Sequence, residues 1–292
     1  MSETPPSGDK HLTSKETIAT GYRVKELLET PLTGAHDLER LQKTHAYIFQ
    51  DIKPEELGEV LSGYKAGDLR DPTPYNKIRT LETQPGEFYV AYSKRDETAM
   101  KRLNTALAEC QPRDLKGLPV SEATGKIAKL YAELDYVHPF GDGNSRTLRS
   151  FTRQLARDSG FDVKWEKLAE TPIDRDRLRI ARDKEVLAKV IPELEGNHRA
   201  WRSAVMTQGR YEPNKGLEET LKVAIRPYVK NEEKKIEQPD PLQKVKEAMI
   251  AKGWPAQKAD EAIAQMKTKA AQPSVSKAAP EPSHTKTKTP ER

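Results

Sequence analysis

The sequence predicts a mainly α-helical fold: a helical bundle that carries one β-hairpin and ends in a flexible C-terminal tail. Three observations predict it. Apolar residues recur at i, i+3 and i+4 through most of the first 228 residues, the spacing of one buried helix face. Only segment 63–96 breaks that rhythm, with clustered Gly and Pro followed by two short β-prone runs. After Tyr228 the composition turns charged, and Lys267 to Arg292 holds four prolines and no Phe, Tyr or Trp, the mark of a stretch that cannot bury enough apolar surface to fold.

The elements follow in order. Residues 1–13 are polar and read as loose. Thr17 to Glu29 carries Ile18, Tyr22, Val24, Leu27 and Leu28, and Asp37 to Phe49 carries Leu38, Leu41, His45 and Ile48, each set fitting one helix face. His45 lies on that apolar face and reads as structural. A short helix starts at Pro54 and closes at Gly63. The runs Tyr75–Leu81 and Glu87–Ser93 flank Gln84-Pro85-Gly86 and read as a hairpin. Helices return over Thr98 to Cys110 and Val120 to Tyr136, the latter with Ile127, Leu130, Tyr131 and Leu134 inward. A further helix runs through Phe151, Leu155 and Ala156 to a stop at Gly160. More helical pieces cover Asp174 to Val190, about Asn197 to Thr207, and Gly216 to Tyr228. The expected domains are a core over 14–228, a charged linker over 229–241, a small helical module over 242–266 and a basic tail over 267–292.

Composition narrows the function classes. The 292 residues hold 50 Lys plus Arg against 45 Asp plus Glu, a net charge of +5, and 35% are apolar, below the average of about 45–50%. No run approaches the ~20 apolar residues of a membrane span. The first residues lack the apolar stretch of a secretory signal, so a cytoplasmic location is expected. Cys110 is the only cysteine, which excludes an intrachain disulfide and a cysteine-cluster zinc site. The tail carries six Lys or Arg and two Glu, so +4 of the +5 belongs to it. The core is nearly balanced, and no specific nucleic-acid partner is expected.

The residues that carry chemistry run from His138 to Arg149: His138-Pro139-Phe140-Gly141-Asp142-Gly143-Asn144-Ser145-Arg146-Thr147-Leu148-Arg149. A loop with two glycines opens a helix here, so free backbone N–H groups face an anion. Gly141 and Gly143 permit the positive φ and close approach that such a nest needs. Asp142 is an oxygen ligand suited to Mg²⁺. Arg146 and Arg149, three apart, project from one side of the helix. His138 at the loop entrance is a general-base candidate, and Phe140 is expected to pin the loop from the core. Together these point to phosphoryl or nucleotidyl chemistry.

The segment resembles the Fic family, whose signature is His-x-Phe-x-(Asp/Glu)-Gly-Asn-(Gly/Lys)-Arg-x-x-Arg. Seven of the eight constrained positions agree; Ser145 stands where Gly is usual. Upstream, Ala66-Gly67-Asp68-Leu69-Arg70 keeps part of the family's Trp-Ala-Gly-x-x-Arg segment, with Lys65 in place of Trp. The resemblance covers roughly Pro31 to Ile191. It implies a Fic-fold helical bundle with a hairpin flap, and a protein adenylyltransferase (AMPylation) that moves AMP from Mg-ATP to a Ser, Thr or Tyr hydroxyl. It implies that His138 deprotonates that hydroxyl and that Asp142 holds Mg²⁺. Gly141, Gly143, Asn144 and Ser145 would line the anion hole, and Arg146 and Arg149 would take the β- and γ-phosphates. The hairpin, about Tyr75 to Ser93, would dock the target protein by strand addition. The Ser145 hydroxyl can bind phosphate or cap the helix. A phosphate or other nucleotide donor, or a weakened nucleotide-binding protein, is the alternative; Arg149, absent from the kinase-like branch, argues against the first.

Many members are inhibited by a helix bearing (Ser/Thr)-x-x-x-Glu-(Gly/Asn). The single Glu-Gly pair here, Glu195-Gly196, has Ile191 at the Ser/Thr position and Pro192 inside it. The chain therefore resembles the class restrained by a separate small antitoxin carrying that motif, or not restrained at all, and both a bacterial toxin and an effector delivered by type IV secretion stay open. The basic tail is expected to be a solvated extension, with a secretion signal as its sharper reading.

Overall fold

The structure, a computed structural model, describes residues 14–52, 65–228, 246, 249–250 and 254–271. The expected arm 1–13, the short helix after Pro54, the linker 229–241 and the tail beyond 271 lie outside the described residues. The chain divides into two compact units, Met1–Pro241 and Leu242–Arg292.

The first unit is a helical bundle. Its elements are α1 (Ser14–Glu29), α2 (Leu38–Phe49), β1 (Tyr75–Thr80), β2 (Glu87–Tyr92), α3 (Glu97–Glu109), α4 (Pro112–Leu115), α5 (Val120–Val137), α6 (Asn144–Asp158), β3 (Phe161–Val163), α7 (Pro172–Val190), α8 (His198–Tyr211), α9 (Leu217–Leu221) and β4 (Ile225–Pro227). Short 3₁₀ turns cover Trp165–Leu168 and Ile191–Leu194. Side chains start most of the long helices. Asp37 accepts from the Arg40 N–H, Asp96 from Ala99, Asn197 from Ala200, and Thr171 exchanges hydrogen bonds with Asp174 ahead of α7.

α5 is the axis of the bundle and packs on α3, α6 and α7. Every residue from Leu130 to Val137 is buried, Glu133 and Asp135 included, so its last two turns are enclosed on all sides rather than on one face. α6 is nearly as deep, with Leu148, Phe151, Leu155 and Ala156 fully buried. The two central helices meet at the loop 138–143, which holds the motif.

β1 and β2 pair antiparallel from Tyr75↔Tyr92 to Thr80↔Glu87, as the two β-prone runs predict. α7 and α8 hold the hairpin. Arg79 forks onto the buried Asp183 carboxylate at 2.7 and 2.8 Å. Asp176 accepts the backbone N–H of Glu82 and Thr83 and the Thr83 hydroxyl. Arg210 stacks on Phe88 and donates to the carbonyls of Pro85 and Glu87.

The expected helix over Gly216 to Tyr228 is corrected. Only Leu217–Leu221 is helical, and Ile225–Pro227 forms a strand paired with Phe161–Val163. That pairing joins segments some 60 residues apart, beyond the reach of local periodicity. In the second unit, α10 (Ala256–Ala271) runs past Met266, where the module was expected to end. Among the described residues no helix is long and apolar enough to cross a membrane.

Candidate active site

The site is built on the α5–α6 loop. α5 ends at His138, whose backbone is left-handed (φ 47°) and whose N–H bonds the Leu134 carbonyl. A non-glycine residue held there costs about 1 kcal/mol or more, and the surroundings impose it. The buried Arg70 guanidinium donates to the carbonyls of His138 (2.7 Å), Val137 (3.1 Å), Ser93 (2.6 Å), Thr73 (2.9 Å) and Asp71 (3.2 Å), while its own N–H bonds the Pro139 carbonyl. One arginine thus staples the motif loop to the base of the hairpin. Burial lowers its pKa to about 10.

His138 is 4% exposed. Its ring lies 3.9 Å from that of Tyr92 and 5.2 Å from that of Tyr75, so the first residue of β1 and the last of β2 both pack on it. Burial pulls its pKa down to about 3, against the opposing pull of Asp135. It is neutral at pH 7.

The rest of the loop is held by two devices. Phe140 is fully buried, as expected, and stacks at 4.0 Å on His45, which stacks in turn at 4.7 Å on Phe49. His45 Nδ1 accepts the Gly67 N–H (2.9 Å) and its Nε2 donates to the Asp142 carbonyl (3.1 Å). That fixes the tautomer and ties the Ala66–Arg70 segment to the loop; burial lowers the His45 pKa to about 4. Asn144 is the second device. Its amide closes a ring with Phe140, accepting the Phe140 N–H at 3.0 Å and donating to the Phe140 carbonyl at 2.7 Å. The Asn144 side chain, expected at the anion hole, is thus bonded to the loop backbone.

Of the two loop glycines only Gly143 takes positive φ (73°); Gly141 does not. Gly143 is also where space runs out, since a Cβ there would lie 2.1 Å from Phe49 Cζ. It is the N-cap of α6, and no side chain caps that 15-residue helix. Ser145 does not cap it either; its hydroxyl accepts from Arg182 Nη1 at 3.0 Å. Among the described residues no side chain accepts from the first N–H groups of α6, which suits them to an external acceptor.

The two arginines differ. Arg146 is engaged with α1: it donates to Glu16 and to the Thr20 hydroxyl, both at 2.9 Å, and stacks on Phe49. Asp142, 42% exposed, stands 3.8 Å from it. Arg149 is half-buried; its Nε donates to the Ser145 carbonyl. Among the described residues it has no acidic partner, and burial together with the nearby Arg182 and Arg146 lowers its pKa. Of the two arginines expected to face one anion, Arg146 is bonded to Glu16 and Thr20 on α1, and Arg149 bonds the Ser145 carbonyl. Sequence reasoning gave no role to Arg70 or Arg182. Arg70 is flanked by Lys65, Asp68 and Asp71, so charge alone did not single it out; for Arg182, seven charged residues within Asp174–Asp183 hid the buried ones, Asp176, Arg182 and Asp183.

The chain is thus a helical bundle with a glycine loop between its two central helices and a hairpin packed on the loop's histidine. Residues 35–156 match the Fic/DOC family, and the chain carries a Fic/DOC family domain. It is 28% identical over 160 residues to protein adenylyltransferase VbhT of Bartonella schoenbuchensis, a match covering 55% of this chain and 29% of that one. It is 28% identical over 155 residues to y4lH of Sinorhizobium fredii, covering 52% of this chain and 68% of that one. The chain thus spans under a third of VbhT. Among solved structures, the N-terminal Fic domain of a VirB-translocated Bep effector protein from Bartonella quintana, with bound ADP, is 20% identical. It covers 73% of this chain and 84% of that one, with a TM-score of 0.48.

Proposed function

We propose that the protein is a protein adenylyltransferase, which moves AMP from Mg-ATP to a Ser, Thr or Tyr hydroxyl of another polypeptide. One observation carries it: a neutral, buried histidine lies one loop away from a helix N-terminus without a side-chain cap and a guanidinium with no acidic partner among the described residues. Orphan N–H groups and an unpaired cation call for an anion, and a neutral imidazole beside them calls for a proton donor. A nucleoside triphosphate and a hydroxyl supply both. The names of the relatives point the same way.

The hydroxyl proton passes to His138 Nε2 as the hydroxyl oxygen bonds to the α-phosphorus. The bond from that phosphorus to the α,β-bridging oxygen breaks, and pyrophosphate leaves with the electron pair. The first N–H groups of α6, with Gly143 giving the close approach, stabilise charge on the phosphates, and Arg149 takes the leaving group. Arg146 joins it once released from Glu16.

Asp142 fits Mg²⁺ of one kind only. Among the described residues no group of three or more His, Cys, Asp or Glu could hold a metal. A single, partly exposed carboxylate suits a Mg²⁺ that arrives on the nucleotide and keeps phosphate and water ligands. When bound, the ion neutralises phosphate charge.

The hairpin is a two-stranded sheet of order β1-β2 among the described residues, and β1 begins at Tyr75, whose ring packs on His138. A target segment adding to β1 as a third strand would bring a side chain beside Tyr75 and His138. Docking through backbone leaves the target's sequence open, and specificity falls to the neighbouring side chains.

The test is intact-mass analysis after incubation with Mg-ATP. A gain of one AMP on the chain itself or on a target, lost in His138→Ala, supports the reading. A gain of one phosphate, or an equal gain in His138→Ala, overturns it.

A further inference from the structure

Behind the motif loop lies a chain of buried polar groups to which the transfer as written gives no part. Asp135, one turn before His138 on α5, is 1% exposed. It receives a two-pronged contact from Arg182 of α7: Nε to Oδ2 at 2.9 Å and Nη2 to Oδ1 at 3.0 Å. The third nitrogen, Nη1, donates to Ser145 Oγ at 3.0 Å in the first turn of α6. Asp135 Oδ1 also stands 3.5 Å from His138 Nδ1, a buried nitrogen with no hydrogen-bond partner of good geometry.

An unpartnered ring nitrogen aimed at a carboxylate is the outline of a base and its orienting acid. The 3.5 Å gap exceeds a formed hydrogen bond of about 2.7–3.2 Å, as is common in unliganded sites whose contacts tighten on binding. Burial resists ionisation of Asp135, but Arg182 and His138 together hold its carboxyl below the usual carboxylate range. Arg182 is in turn lifted above its ordinary value by Asp135 despite its burial. The acid is therefore charged and fixed. An apolar pair of the same volume would stabilise the bundle as well or better; what the ion pair adds is orientation.

We propose, resting on the adenylyltransferase reading, that Asp135 and Arg182 are positioning residues for His138. Asp135 accepts the Nδ1–H and leaves the lone pair on Nε2 for the target hydroxyl. Arg182 holds Asp135 and, through Ser145, ties the base to the head of the phosphate-binding helix. When the hydroxyl proton reaches Nε2, the imidazolium formed is stabilised by the carboxylate behind it, and the proton on Nδ1 stays there. Ser145, which stands where Gly is usual in the motif, becomes the acceptor through which one guanidinium serves base and loop together.

The experiment is ¹⁵N NMR of the wild-type full chain at pH 7, which reads the His138 tautomer without nucleotide or turnover, joined to kinetics of Asp135→Asn. The expected result is a protonated Nδ1 and an unprotonated Nε2. Asp135→Asn then lowers kcat by about 10²-fold or more, keeps KM for ATP within about 3-fold, and shifts the tautomer. A proton on Nε2 in the wild type overturns the proposal. So does an Asp135→Asn chain that folds and turns over at the wild-type kcat. If Asp135→Asn does not fold, the wild-type tautomer decides alone. A wild-type chain that shows the Nδ1–H tautomer yet transfers no AMP refutes the adenylyltransferase reading and leaves the His138–Asp135 arrangement standing.

Discussion

At the residue scale the site is a set of backbone problems solved by single side chains. Gly143 combines φ 73° with a Phe49 ring 2.1 Å from where a Cβ would sit, so neither its conformation nor its space admits a side chain. Gly143→Ala is expected to cost about 1–3 kcal/mol in urea melts and to abolish nucleotide binding. Arg70 feeds five carbonyls; Arg70→Lys leaves most of them unpaired, because an ammonium cannot fork, and is expected to lose about 3 kcal/mol or more. Three buried histidines set the pH dependence. His36 and His138 fall to about 3 and His45 to about 4 from an ordinary 6.5, all chiefly by burial. Between about 6.5 and those values the unfolded chain binds more protons than the folded one, so stability falls as pH falls through that window and is flat in these groups above it. For His45 alone the fall from 6.5 to about 4 is worth about 3 kcal/mol, which chemical denaturation at pH 7 and pH 5 detects in part. The motif residues were legible because their types carry chemistry. The carbonyl network of Arg70 was not, since hydrogen bonds to backbone depend on where distant loops end.

At the element scale, periodicity placed the long helices because most of their turns bury one face, and the β-prone runs placed the hairpin. β3 and β4 were missed because three residues have no period and their pairing is non-local. The head of α6 was readable: two glycines ahead of a polar, arginine-rich helix leave the N-terminus uncapped. The role of α1 was not. Glu16 meets Arg146 at 2.9 Å although the chain lacks the inhibitory sequence pattern where it was sought. A partly buried pair of this kind is worth about 1 kcal/mol. Glu16→Gln is therefore expected to lower KM for ATP about fivefold by freeing Arg146, measured by initial rates. An unchanged KM would mean that Arg146 does not meet the phosphates.

At the scale of the whole molecule, the motif His138–Arg149 lies in the first unit, and most of the net charge belongs to residues after 266. A chain ending at Pro241 is expected to melt within about 2 °C of the full chain and to label at the same rate. A large loss of either would place part of the site in the second unit. The central claim is the transfer of AMP by His138, and the most direct measurement compares ATP radiolabelled at the α-phosphorus with ATP radiolabelled at the γ-phosphorus, for wild type and His138→Ala. The account predicts protein-bound label from the α-labelled donor only, and none with His138→Ala. Label from the γ-labelled donor, or labelling that survives loss of the histidine, would contradict it.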